Sequence, residues 1–236
     1  MCLDCARLDR RKFLRYAASG LTAAALATSS GLFSPSFAAT TLSADEALAK
    51  LKEGNKKYLT DPQSCLPNAA GTRSAIANGQ SPWATILTCS DSRVVPEIVF
   101  GGLDLCELFV ARNAGNIANT DVLGTIEYGA EHLGSPLIVV MGHERCGAVA
   151  AACDVVAKKA KLPGNIKTMV DSIVPAAKSQ FGKPGDFLDN TVRENARRNA
   201  EIVGKSEIIH HLVHEGRVKI VYARYDLDSG MVDFLG

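Results

Sequence analysis

At 236 residues the chain is long enough for one sizeable domain and too short for two large ones. Hydrophobic residues make up 47% and charged residues 22%, which excludes a low-complexity chain and fits a globular protein with an Ala- and Val-rich core. The net charge is only +1, and residues 1–39 hold five of the 26 Lys/Arg but two of the 25 Asp/Glu. The remainder is slightly acidic, 21 basic residues against 23, so charge gives no case for nucleic acid or an anionic membrane as partner.

Residues 1–39 read as an export signal that is removed, leaving residues 40–236 as one catalytic domain. Arg7, Arg10, Arg11, Lys12 and Arg15 form a basic head, and a mildly apolar stretch follows from Tyr16 to Phe33. Ser36-Phe37-Ala38-Ala39 offers cleavage after Ala38 or Ala39. The head, DRRKFLR, resembles a twin-arginine (Tat) signal, which implies the Tat export machinery as a partner and a periplasmic location. A membrane anchor is the alternative, but Ser19, Gly20, Thr22, Thr28, Ser29, Ser30 and Gly31 interrupt the stretch. Of seven cysteines, Cys2 and Cys5 fall in the signal; Cys65, Cys89, Cys106, Cys146 and Cys153 remain. An odd number does not make a disulfide framework, and the sequence does not pair Cys65, Cys106 or Cys153.

Ser43-Ala44-Asp45-Glu46 is a capping box that opens a helix with Leu48, Leu51 and Tyr58 at helical spacing. A loop rich in Pro, Asn and Ser spans Asp61 to Gly71. Three apolar runs predict strands: Ala84–Thr88, Leu105–Ala111 and Pro136–Met141. Helical patterns lie between the second and third, Thr120 to His132, and after the third from about Cys146. One long helix is expected over Asp186 to His214, interrupted only by Gly204, then a strand Val218–Tyr222, a turn at Asp228-Ser229-Gly230 and a short final strand. Alternating strands and helices predict an α/β fold with a mostly parallel central sheet flanked by helices.

In such sheets function gathers at the carboxyl ends of strands. The first strand ends in TCSDSR, where Cys89, Asp91 and Arg93 alternate, and the third ends in MGHERCGA, with His143 and Cys146 three residues apart. Two thiolates and an imidazole suit zinc, and three protein ligands leave the open position of a catalytic site. Zinc lowers the pKa of bound water towards ~7. Asp91 could orient that nucleophile or take the fourth position itself, and Arg93 could fix the carboxylate through a bidentate pair. The structural alternative is a buried Asp–Arg pair beside two core cysteines.

CSDSR, ELFVARNAGN and GHERCGA together closely resemble the β-class carbonic anhydrases, from about Ala44 to the C-terminus. The resemblance implies zinc on Cys89, His143 and Cys146, one ion per subunit, with Asp91 and Arg93 as the catalytic dyad. It implies active sites at a homodimer interface, often with further assembly. Alignment to the plant-type branch makes Gln80 a substrate-binding residue from the partner subunit. It likewise makes Phe109 and Tyr128 lining residues of the apolar substrate pocket, and Gly147 the backbone N–H that meets the anion. Ala114 stands where plant enzymes tend to have Val. A second branch has a regulatory bicarbonate site made by Trp, Arg and Tyr. Arg112 and Tyr225 match two of these, but Ile86 replaces the Trp and Trp83 is out of register. The regulatory site is therefore expected to be absent, with Asp91 resting on Arg93.

The expected reaction is zinc-dependent, reversible hydration of CO2 to bicarbonate and a proton. Carbonyl sulfide or carbon disulfide hydrolysis on the same zinc is an alternative, and so is a non-catalytic zinc-binding relative. His210, His211 and His214 invite a second metal site, although a polar helix end accounts for them.

Overall fold

The computed structural model describes residues 40–66 and 76–236. The export signal over residues 1–39 and the C-terminal part of the Asp61–Gly71 loop lie outside the described residues. α1 (Ala44–Thr60) opens on the expected capping box: Ser43 Oγ accepts from Glu46 N, and the Glu46 carboxylate accepts from Ser43 N. A 3₁₀ turn, Pro62–Cys65, follows. Next come β1 (Ala84–Cys89), the single turn α2 (Pro96–Val99), β2 (Leu108–Asn113) and α3 (Thr120–Glu127), which runs into a π-type turn at Tyr128–His132. β3 (Leu137–His143) leads to α4 (Gly147–Lys158), α5 (Gly164–Asp171), α6 (Val174–Gln180), α7 (Phe187–Gly204) and α8 (Glu207–His214). β4 (Lys219–Tyr225) and β5 (Val232–Phe234) close the chain.

The five strands lie in the order β2-β1-β3-β4-β5, parallel except for the β4–β5 hairpin. β1 and β3 are buried at every residue because helices cover both faces. Alternation sorts their side chains: Ala84, Ile86, Leu137, Val139 and Met141 enter one core with α1, whereas Leu87, Ile138 and Val140 enter another with α3, α7 and α8. From β1 the chain crosses to β2 on one side and then returns to β3 on the other. The carboxyl ends of β1 and β3 therefore flank the point where the connections diverge, which leaves a crevice there. Gly142, next to the end of β3, lets α7 approach: an added Cβ would lie 3.0 Å from Val192 Cγ1.

Three expectations shift. The second strand starts at Leu108, not Leu105, because Cys106 takes a positive φ of 81° and Glu107 is tied up by Trp83 Nε1 and the Asp104 amide. The long C-terminal helix is two helices, since Ser206 caps Ile209 N and donates its hydroxyl to Glu127. The short helices α2, α5 and α6 carry too little periodicity to stand out in the sequence. Among the described residues, no helix is long and apolar enough to cross a membrane.

Candidate active site

Cys89 ends β1 and His143 ends β3, while Cys146 caps α4 one short turn later. The strand alternation puts Cys89 and His143 on opposite faces, so they meet only over the carboxyl edge of the sheet. Thr88 Oγ1 ties the two strand ends together by donating to the Met141 carbonyl at 3.0 Å. The ligand-type atoms of Cys89, His143 and Cys146 lie within 4.8 Å of one another, and all three residues are buried. Among the described residues they are the group of this kind; His210, His211 and His214 form none, and His211 pairs with Glu215. The five described cysteines are free.

Four observations fit this trio to zinc. His143 Nδ1 lies 2.8 Å from the Glu144 carbonyl, which fixes the tautomer with the proton on Nδ1 and turns the Nε2 lone pair inward. Nε2 is then buried with no hydrogen-bond partner. The two sulfurs are 4.0 Å apart, close to the ~3.8 Å edge of a tetrahedron with ~2.3 Å legs. The hydrogen bond between them pulls the Cys89 thiol down to about 4, against the effect of burial, and pushes Cys146 far up. Two sulfurs so placed can both be thiolates only around a cation.

Asp91 follows Cys89 by two residues and is bound by Arg93 in bidentate fashion, Nε to Oδ1 at 2.9 Å and Nη2 to Oδ2 at 2.7 Å. The Arg93 amide adds a third bond to Oδ1 at 3.0 Å. The Arg93 side chain holds the carboxyl well below the usual carboxylate range, against the effect of burial. Oδ2 nevertheless lies 3.8 Å from His143 Nε2, at the edge of the ligand group. Asp91 rests on Arg93, as expected. Gly147 opens α4 beside Cys146, with nothing within 4 Å of where a Cβ would stand.

Gln80, Phe109 and Tyr128 are not brought to this edge within the chain. Gln80 is exposed ahead of the amino end of β1. Phe109 pairs in register with Thr85, four residues back from Cys89, and its ring lies 6.1 Å from that of exposed Tyr128. Ile86 is fully buried in the sheet and Trp83 packs in the same core. Arg112 has a role that sequence reasoning missed: Nε donates to the Cys89 carbonyl at 3.0 Å and Nη2 to the Asp91 carbonyl at 2.7 Å. It staples the turn that carries both residues. Its neighbour Asn113 closes the following loop on both the amide and the carbonyl of Ile117.

Residues 84–232 match a family model described as carbonic anhydrase. Carbonic anhydrase 2 of Mycobacterium tuberculosis is 35% identical over 185 residues, covering 76% of this chain and 87% of that protein. Two solved β-carbonic anhydrases, CcaA and the Coccomyxa enzyme in complex with acetazolamide, each share 25% identity and cover 80% of this chain. They cover 91% and 86% of their own chains, with TM-scores of 0.63 and 0.62. The chain belongs to the β-class carbonic anhydrases. Hydration of CO2 is the general activity of that family, so the substrate of this carbonic anhydrase is a small molecule. β-class carbonic anhydrases depend on zinc, and the buried Cys-His-Cys group could hold a metal ion.

Proposed function

We propose that this chain catalyses the zinc-dependent, reversible hydration of CO2 to bicarbonate and a proton, with Asp91 and Arg93 as its dyad. The observation that carries this is His143 Nε2: a fully buried, unpartnered ring nitrogen facing two thiols, with a clamped carboxylate at 3.8 Å. Cys89 Sγ, His143 Nε2 and Cys146 Sγ would hold the metal, which when bound makes water ionise near neutral pH. Arg93 occupies three of the roughly four acceptor sites of Asp91. The free site is on Oδ2, beside His143, and accepts one hydrogen bond from the attacking water, aiming its other lone pair at the CO2 carbon. Because Asp91 stays ionised far into acid, it acts as an orienting acceptor and does not keep the proton that hydration releases; that proton leaves to buffer.

We further propose the plant-type arrangement, in which Gln80, Phe109 and Tyr128 of one subunit complete the pocket over the zinc of another in a homodimer, and Gly147 N–H meets the bound anion. Their separation from the metal edge within one chain supports that reading. The basic head, apolar stretch and small-residue end of residues 1–39 support Tat export to the periplasm, with zinc seated on the cysteines before they meet an oxidising compartment.

Stopped-flow CO2 hydration on the zinc-loaded protein tests the main reading. Zinc-dependent turnover is expected; sulfide release from carbonyl sulfide without CO2 turnover would replace it, and neither activity would leave a non-catalytic zinc protein. Replacing Arg10 and Arg11 by Lys should retain zinc-loaded enzyme in the cytoplasm, and unchanged export would refute the Tat route.

A further inference from the structure

We infer that Asn195, on α7, is a positioning residue for the metal centre: it holds the carbonyl of Gly115, the residue whose N–H donates to the Cys89 sulfur. This rests on the zinc reading of the site and adds to it the residue that sets how strongly one thiolate donates.

The chain of contacts is short and buried. Gly115 N lies 3.4 Å from Cys89 Sγ. On the other side of the same residue, Asn195 Nδ2 donates to the Gly115 carbonyl at 2.8 Å. Asn195 is 1% exposed and is itself braced by Asn199, whose Nδ2 donates to the Asn195 carbonyl at 2.8 Å and to its Oδ1 at 3.1 Å. Asn199 Oδ1 also accepts the Ala118 amide at 2.8 Å, so the two asparagines, one helical turn apart, grip both ends of residues 115–118.

The loop cannot be held in this way by packing alone. Gly115 has a φ of +81°, a conformation most side chains avoid, and a Cβ there would meet Ile173 Cδ1 at 2.6 Å and Ala148 Cβ at 3.2 Å. Glycine lets the backbone come close to the sulfur, and it is also the residue with the most freedom to turn the N–H away. The Asn195 bond restrains that freedom by fixing the carbonyl on the far side of Gly115. A thiolate that accepts an N–H bond pushes less charge onto its metal, which leaves the metal a stronger Lewis acid. Asn195 touches neither metal nor substrate in this arrangement; it acts through Gly115.

The test uses Asn195→Ala in the full-length enzyme, loaded with Co(II) as a spectroscopic stand-in for zinc. Val203→Ala is the control, a cavity in the same helix whose side chain enters the α3/α8 core and makes no hydrogen bond to Gly115. Asn195→Ala should move the sulfur-to-cobalt charge-transfer band to longer wavelength. It should also weaken zinc about tenfold in chelator competition and shift the pH profile of kcat/KM upward. Val203→Ala should lower Tm and leave the band and the pH midpoint where they are. An unmoved band in Asn195→Ala, or an equal shift in both variants, would overturn the inference. If Asn195→Ala does not fold, the wild-type protein loaded with 113Cd decides: a scalar coupling between cadmium and the Gly115 amide is expected, and its absence counts against the inference. Failure of the wild type to take up any of these metals would instead sink the zinc reading itself.

Discussion

Asp91→Asn isolates the one acceptor that the dyad leaves free. The carboxylate has about four acceptor sites, and Arg93 fills three: Nε and its backbone N–H on Oδ1, Nη2 on Oδ2. In the asparagine variant, Oδ1 can keep both of its bonds. The amide nitrogen then replaces Oδ2, sets donor against donor at the 2.7 Å contact with Nη2, and offers the attacking water no lone pair. Flipping the amide restores that acceptor only by leaving the Arg93 amide and Nε facing an NH2 group. Misorienting the nucleophile costs a positioned acid–base group's lower range, about 100-fold in kcat/KM, or ~2.7 kcal/mol at 1.36 kcal/mol per tenfold. Zinc content should stay at one per chain, because Asp91 rests on Arg93 and not among the ligands. Stopped-flow CO2 hydration with parallel metal analysis measures both. Full zinc with kcat/KM within threefold of wild type would refute the orienting role. Loss of zinc along with activity would mean that Asp91 belongs to the ligand set.

Three further outcomes follow from the same contacts. Gly142→Ala sets a Cβ 3.0 Å from Val192 Cγ1 and 3.3 Å from the Val192 carbonyl oxygen, a backbone atom that cannot turn away, and should lower Tm in thermal denaturation. Arg224, nearly buried, pairs with Asp189 at 2.7 Å and with Asp226 at 2.5 Å, and both carboxyls are held below their ordinary range. Arg224→Ala should cost about 3 kcal/mol at pH 7. A depressed folded-state pKa gives stability that is full above the unfolded value of ~3.9 and is lost as pH falls through the folded value, so the Tm gap between wild type and variant should begin to close as pH drops below about 4. A gap that stays constant with pH would show that packing, not charge, carries the effect. Chelation of the metal should expose two additional thiols per chain, Cys89 and Cys146, to a thiol reagent, and adding zinc back should protect them.

The strands that build the site were legible because parallel strands covered on both faces are mostly apolar, as Leu137–Met141 is throughout and Ala84–Thr88 is apart from Thr85 and Thr88. The candidate ligands were legible because two cysteines and a histidine, with a carboxylate beside them, stand together at the ends of such strands, and their spacing carries the family resemblance. The Asp91–Arg93 pair is local, two residues apart, and needs no long-range fold to form.

The sequence by itself thus determined the class of the fold and singled out the residues proposed as metal donors and dyad, since each strand end carries its own short motif. Only the tertiary structure decided how they meet. Strand alternation alone sends Cys89 and His143 to opposite faces, and it is the crevice between β1 and β3 that lets them converge. The supporting contacts are equally invisible along the chain. Arg112 bonds to carbonyls at the end of β1 and in the turn after it, and Asn195 reaches a loop 80 residues earlier through a single backbone bond. Hydrogen bonds to backbone carbonyls leave no residue-type signature at the accepting end, so no pattern of side chains announces them before the helix and the sheet are packed together.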